Sequence, residues 1–165
     1  MYSLKSFSLS TLIVALLIPL LVGGISAALS SRAMIAYGSM NKAPLSPPAW
    51  VFSVAWTILY IVMGLASYYV IMMESDPRIK AVALGIYALQ LAMNFMWSLI
   101  FFNWRMYLVA FIWLMIMWCL VIVCAFRFYS ISKIAGIMMI PYILWLTFAA
   151  YLNFGTYWLN MDGTW

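Results

Sequence analysis

The side chains best suited to chemistry in this chain are a few amides and hydroxyls set in long apolar runs. Gln90, Asn94 and Ser98 follow one another at four-residue intervals, and Asn153 lies in another apolar run. This spacing puts the first three on one face of an α-helix. Amides buried away from water need hydrogen-bond partners, so they either join helices together or line a ligand pocket. These residues alone leave both interpretations open.

Aromatic side chains recur at helical spacing beside or near these amides. The resulting faces comprise Phe52, Trp56 and Tyr60; Gln90, Asn94 and Trp97; and Trp145, Ala149, Leu152 and Asn153. An aromatic stripe is common in ordinary helix packing. An amide among aromatic rings, without charges, also suits a large, flat and mostly apolar ligand.

Several kinds of chemistry are excluded or disfavoured by residue type. The chain has no His, which excludes His-ligated metals, His-ligated haem and catalytic triads that contain His. No Asp, Glu, Lys or Arg lies in the middle of an apolar run, which argues against a proton relay. Cys119 and Cys124 are five residues apart and do not form a CxxC pair. We therefore expect no required cofactor and no metal site.

The composition is that of a membrane protein. Of 165 residues, 69% are hydrophobic, 18% are aromatic and 7% are charged, whereas soluble domains carry about 25% charged residues. The net charge is +5, but the basic residues are scattered singly between apolar runs. Such residues fit membrane-end anchors better than a nucleic-acid surface.

The spacing of the charges predicts the architecture. They leave five uncharged stretches of 21 to 31 residues, and a membrane-spanning α-helix needs about 20. We predict an all-α integral membrane bundle of five transmembrane helices, forming one domain over residues 1–165. The expected spans are 8–31, 48–73, 79–102, 105–128 and 133–159. Loop 1, near residues 32–47, is the one sizeable connection, and Pro141 is expected to kink the fifth span.

Orientation follows from the distribution of Lys and Arg. Five of them lie on the N-terminal segment (Lys5), the second connection (Arg78, Lys80) and the fourth connection (Arg127, Lys133). Three lie on loop 1 (Arg32, Lys42) and the third connection (Arg105). This favours a cytoplasmic N-terminus. The first uncharged run exceeds a typical signal-peptide core, and there is no long targeting extension. We therefore expect the bacterial cytoplasmic membrane, with membrane lipid as the surrounding partner.

Small residues repeat along the predicted third span. They are Ala81, Gly85, Ala88 and Ala92, at spacings that let helices approach closely. The pattern predicts a packing seam, which fits either a homodimer or contacts within one chain.

Three motifs occur in a distinctive order. They are KAPLSPPAWVFSVAWTILY at 42–60, QLAMNFMWS at 90–98 and PYILWLTFAAYLN at 141–153. Together with the length and span count, they resemble the translocator protein / tryptophan-rich sensory protein family, also called the peripheral-type benzodiazepine receptor family. The resemblance covers nearly the whole chain.

The resemblance implies a five-helix bundle, often dimeric, whose central cavity opens towards loop 1. Such cavities bind porphyrins or other tetrapyrroles, sterol-like molecules or synthetic ligands. The pocket positions that the resemblance and the aligned faces give are Trp56, Tyr60, Gln90, Asn94, Trp97, Trp145, Ala149 and Leu152. The lid positions are Tyr37, Pro47, Pro48 and Trp50.

The chain departs from the family pattern in loop 1. Leu45 and Ala36 stand where the family usually has Trp, which puts Trp-dependent porphyrin breakdown in doubt here. No basic residue follows Tyr157, so cholesterol is not the expected ligand. The leading hypothesis is a porphyrin-binding sensor, carrier or regulator. The alternatives are a transporter of small amphipathic molecules and a porphyrin-degrading enzyme.

Overall fold

The computed structural model of the protein describes residues 6–38 and 40–161. Five helical stretches in it are long and apolar enough to span a membrane, which confirms the predicted all-α membrane bundle. The third stretch continues from an α-helix into a π-helical turn, and the fifth consists of two helices. The elements are α1 (Leu9–Tyr37), α2 (Ala49–Met72), α3 (Pro77–Ser98), the π-helical turn (Leu99–Asn103), α4 (Tyr107–Ile131), α5 (Lys133–Met138) and α6 (Ile140–Leu159).

The first helix is longer than predicted. We expected span 1 to stop at residue 31, before Arg32, but α1 continues to Tyr37. Residues 32–37 contain neither Gly nor Pro, and a single charge at the membrane surface does not end a helix. Gly38 follows directly. Tyr37 is therefore the last residue of α1 rather than part of loop 1, and the loop is shorter than expected.

Local sequence signals explain the other helix ends. The Asp76 carboxylate accepts a hydrogen bond from the Arg78 backbone N–H at 2.7 Å, with Pro77 between them at the first position of α3. The fifth span is interrupted at Met139, two residues before Pro141. Proline lacks the backbone N–H that would continue the helix, so the expected disturbance occurs at Met139, six residues before Trp145.

The helices form a closed ring. Helix α1 packs against α2 and α3, the fifth span packs against α2 and α4, and α3 packs against α4. The half of the ring that is remote from loop 1 is filled by fully buried side chains. They include Met63, Val70, Met117, Val121, Phe128 and Leu146. The predicted orientation of this ring in the membrane stays a prediction, and Lys5 lies outside the described residues.

Helices α1 and α2 approach closely at Gly64. A Cβ atom on Gly64 would lie 2.8 Å from the backbone oxygen of Ala15 and 2.9 Å from the Cα of Leu16. Backbone atoms cannot move aside as a flexible side chain can. The absence of a side chain at residue 64 therefore sets the distance between the two helices.

We predict that Gly64→Ala lowers the free energy of unfolding by about 1–3 kcal/mol, because the added methyl group overpacks the α1–α2 contact. Gly24→Ala is the matched control, since a Cβ atom there meets nothing within 4 Å. The control should leave stability unchanged or raise it by up to about 1 kcal/mol, the helix-propensity gain of Ala over Gly. Thermal unfolding in detergent measures both, and equal midpoints for the two variants would contradict the close approach.

Candidate functional site

A cavity of about 310 Å³ occupies the loop 1 end of the bundle. Residues of α1, loop 1, α2, α3, the π-helical turn and α6 line it, and α4 contributes no described lining residue. The volume lies at the lower end of the range for small-molecule pockets, about 300–1,000 Å³. Eight of the predicted site residues line this cavity: Tyr37, Pro47, Trp56, Tyr60, Asn94, Trp97, Ala149 and Leu152.

The floor of the cavity is a hydrogen-bonded network centred on Asn94. The Tyr60 hydroxyl donates to Asn94 Oδ1 at 2.6 Å, and Asn94 Nδ2 donates to the Tyr142 hydroxyl oxygen at 3.1 Å. All three side chains are buried. The network therefore joins α2, α3 and α6, and it satisfies an amide that has no access to water.

A second amide fixes one wall. Trp97 Nε1 donates to Asn153 Oδ1 at 3.1 Å, and Asn153 Nδ2 donates to the backbone oxygen of Tyr107 at 2.8 Å. The Trp97 ring stacks on Phe101, with centroids 5.2 Å apart and planes 23° apart. Asn94 and Asn153, two of the three amides predicted to link helices or line a pocket, thus make interhelical hydrogen bonds beside the cavity.

Trp56 is the centre of the aromatic lining. Its ring stacks on Tyr60 at 5.6 Å and lies 6.4 Å from the ring of Trp97. It also meets the rings of Tyr142 and Trp145 edge-on, at 6.1 and 6.3 Å. These geometries are typical of favourable aromatic pairs, so the rings hold one another in place and present flat surfaces to the cavity.

The mouth of the cavity is bounded by the end of α1. Thr156 Oγ1 donates to a backbone oxygen of its own helix, so the Tyr37 hydroxyl donates to Thr156 Oγ1, at 3.1 Å. The rings of Phe101 and Phe102 pack edge-on against the Tyr37 ring, at 5.3 and 5.6 Å. Burial raises the pKa of the Tyr37 phenol, so the hydroxyl keeps the proton that it donates.

Loop 1 is fastened to α6. Tyr151 donates through its hydroxyl to the Pro44 backbone oxygen at 2.9 Å, and Asn160 Nδ2 donates to the Asn41 backbone oxygen at 2.9 Å. Ala43 is buried, and a side chain on Gly155 would collide with it. These contacts hold the loop over the cavity, where Pro47 and Ser46 form part of the lining.

Four predicted site residues lie elsewhere. Gln90 is fully buried below the Asn94 network and does not line the cavity; its Nε2 meets Met63 Sδ at 3.8 Å and its Oε1 has no described partner. Trp145 lies behind Trp56 and borders a separate apolar groove between α2 and α6. Pro48 precedes α2, Trp50 in its first turn is 68% exposed, and neither residue lines the cavity.

The sequence patterns missed two parts of the lining. Gly23, Gly24 and Ala27 of α1 line the cavity, although none of them belongs to the aromatic and amide-bearing faces that the sequence predicts. Gly23 leaves the space that the Tyr60 ring occupies. Phe101 and Phe102 of the π-helical turn also line the cavity. No motif marked them, and only the aromatic composition of residues 101–104 was a signal.

The lining can enclose an apolar molecule against aromatic faces and offers few polar contacts. No group of His, Cys, Asp or Glu among the described residues could hold a metal ion. Most neutral donors are already committed to protein acceptors, as Tyr60 and Trp97 are. Such a site is suited to binding a molecule largely by shape and apolar contact.

Comparison with known proteins finds a matching family and several similar proteins. Residues 15–159 match the TspO/MBR family. The chain is 38% identical to the tryptophan-rich sensory protein of Cereibacter sphaeroides over 126 residues, which cover 76% of this chain and 77% of the relative. It is 33% identical to protein CrtK of Rhodobacter capsulatus, covering 75% and 78%. It is 35% identical to the translocator protein of Ovis aries, covering 72% and 70%.

The two amides of α3 should differ in their effect on stability. We predict that Asn94→Leu lowers the free energy of unfolding by about 1–3 kcal/mol, because Tyr60 and Tyr142 each lose a buried partner. Gln90→Leu should leave stability unchanged or raise it, since it removes a buried oxygen that has no described partner. Thermal unfolding in detergent compares the pair. A larger loss of unfolding free energy for Gln90→Leu than for Asn94→Leu would contradict this ranking of the two amides.

Proposed function

This chain belongs to the TspO/MBR family of sensory and translocator membrane proteins, and from that premise we propose that its central cavity binds a porphyrin or a similar flat, mostly apolar molecule. The protein then acts as a sensor, carrier or regulator for that ligand. The family supports the general role, and the chemistry of the cavity lining supports the ligand class.

The observation that carries the proposal is the set of indole and phenyl rings around one hollow. Trp56 and Trp97 lie on two different helices with ring centroids 6.4 Å apart, and both face the cavity. Aromatic faces stack on flat conjugated rings, and the gain grows with the apolar area that leaves water or lipid. A macrocycle would keep part of its edge at the loop 1 mouth, because the cavity is small.

In this proposal Asn94 shapes the site rather than holding the ligand. Both ends of its amide already bond to Tyr60 and Tyr142. The network keeps the Tyr60 ring stacked under Trp56. Loss of Asn94 should therefore weaken ligand binding through the floor of the cavity, and Gln90, which lies below that floor, should matter less.

We predict that Gly24→Leu weakens porphyrin binding by at least about tenfold, or 1.4 kcal/mol. Gly24 faces the cavity, and a Cβ atom there meets nothing within 4 Å. The leucine side chain should thus occupy ligand space without disturbing the helices. Quenching of tryptophan fluorescence during titration with protoporphyrin IX measures the affinity.

The matched control is Ala28→Leu, one turn further along α1, at an exposed residue outside the cavity lining. It should bind protoporphyrin IX as the unaltered protein does. Quenching that does not saturate, and is the same in all three proteins, would mean that porphyrin only partitions into detergent. The proposed ligand class would then be wrong.

We also propose that the chain forms a homodimer through α3. The four small residues of the predicted seam, Ala81, Gly85, Ala88 and Ala92, are all exposed in the single chain. A Cβ atom on Gly85 would meet nothing within 4 Å. These residues therefore do not serve packing within one chain, and a second copy could approach closely along them.

We expect the double variant Gly85→Leu/Ala88→Leu to run as a monomer under conditions where the unaltered protein runs as a dimer. Bulky side chains would separate the two α3 helices and remove their close contact. Light scattering coupled to size-exclusion chromatography in mild detergent gives the mass. Ala28→Leu is again the control and should stay dimeric. A monomeric mass for the unaltered protein, or a dimeric double variant, would refute this interface.

A further inference from the structure

Lys42 is the one charged side chain that lines the cavity among the described residues. It lies in loop 1, at the mouth, and is exposed there. The rest of the lining consists of aromatic and aliphatic groups with a few neutral polar ones. A ligand bound here would therefore be oriented, because it meets apolar contacts inside the cavity and one positive charge at the entrance.

Among the described residues, the Lys42 ammonium contacts an aromatic ring and no carboxylate. Its Nζ lies 5.5 Å from the centroid of the Tyr37 ring, a distance at which a cation is attracted to the ring face. Tyr37 is itself fixed by Thr156. Glu74 and Asp76 lie in the connection between α2 and α3, at the opposite end of the bundle, and Asp162 lies outside the described residues.

Two other hydroxyl donors in the lining, those of Ser46 and Thr57, are already occupied. The Ser46 hydroxyl donates to the Ala43 backbone oxygen at 2.7 Å, and the Thr57 hydroxyl donates to the Ser53 backbone oxygen at 2.8 Å. No described Asp or Glu lines the cavity to repel an anion. An acidic group on a ligand would therefore meet an ammonium at the mouth without competition from a carboxylate of the lining.

We propose that Lys42 is the anion contact of this cavity and makes it select flat apolar ligands that carry a carboxylate at one edge. The inference rests on the proposed function and narrows its ligand class. The apolar ring system enters between Trp56 and Trp97, and the carboxylate stays at the mouth, where it accepts hydrogen bonds from the Lys42 ammonium. Neutral molecules of the same shape bind more weakly because they lack that contact.

The test uses two probes with the same ring system, protoporphyrin IX and its dimethyl ester, in tryptophan-quenching titrations. Lys42→Met should weaken binding of the acid by about tenfold, the size expected for a charged hydrogen bond, and leave binding of the ester unchanged. Lys42→Arg should keep most of the affinity for the acid. Lys133→Met removes a positive charge from an exposed residue outside the cavity and should change neither titration.

The unaltered protein gives an independent measurement if Lys42→Met folds poorly. It should prefer the acid over the ester at low salt, and the preference should shrink as salt screens the pair. Equal affinity for both probes, or equal effects of Lys42→Met on both, would overturn the role of Lys42. If Gly24→Leu still blocked binding in that case, the proposed function would stand. If Gly24→Leu changed neither titration, the proposed function would fail and this inference with it.

Discussion

The hydrogen bonds around Asn94 are the constraint on which the rest of this bundle depends. An amide among apolar helices is costly unless its donor and its acceptor are both satisfied. Tyr60 and Tyr142 satisfy them from two other helices, so α2, α3 and α6 must meet at one level. The Tyr60 ring also fills the space left by Gly23 of α1. One network thereby sets the positions of four helices and the floor of the cavity.

Above and below that floor the bundle has different character. Below it, side chains such as Met117 and Phe128 are fully buried and fill the interior, so this half behaves as a packed core. Above it, rigid aromatic rings and small α1 residues leave a hollow. The fifth span is interrupted at Met139, three residues before Tyr142 of that floor. Loop 1 is fastened across the open end by Tyr151 and Asn160. A site that recognises a ligand by its shape needs lining side chains that are held in place by a rigid, packed core beneath them.

Prediction from the sequence succeeded where one physical rule acted alone. The lengths of the uncharged stretches predicted five spans, because each span must cross the same apolar layer of the membrane. Helical spacing put Asn94 and Trp97 on one face, and both line the cavity. The same spacing included Gln90, which lies one turn too deep. Periodicity gives the face of a helix, whereas the depth of the cavity depends on where neighbouring helices close it. The end of α1 was missed because Arg32 was taken as a boundary.

Composition, charge spacing and helical spacing were enough to predict the class of the protein, its five spans and its aromatic, amide-bearing faces. The folded bundle was needed to see which groups meet. Both ends of the Asn94 amide bond to tyrosines, Trp145 lies behind Trp56, and Lys42 is the cation at the mouth. Hydropathy and helical period are properties of one segment of the chain. A cavity and its hydrogen bonds are properties of several helices packed together, and the packing is set by contacts between residues far apart in the chain.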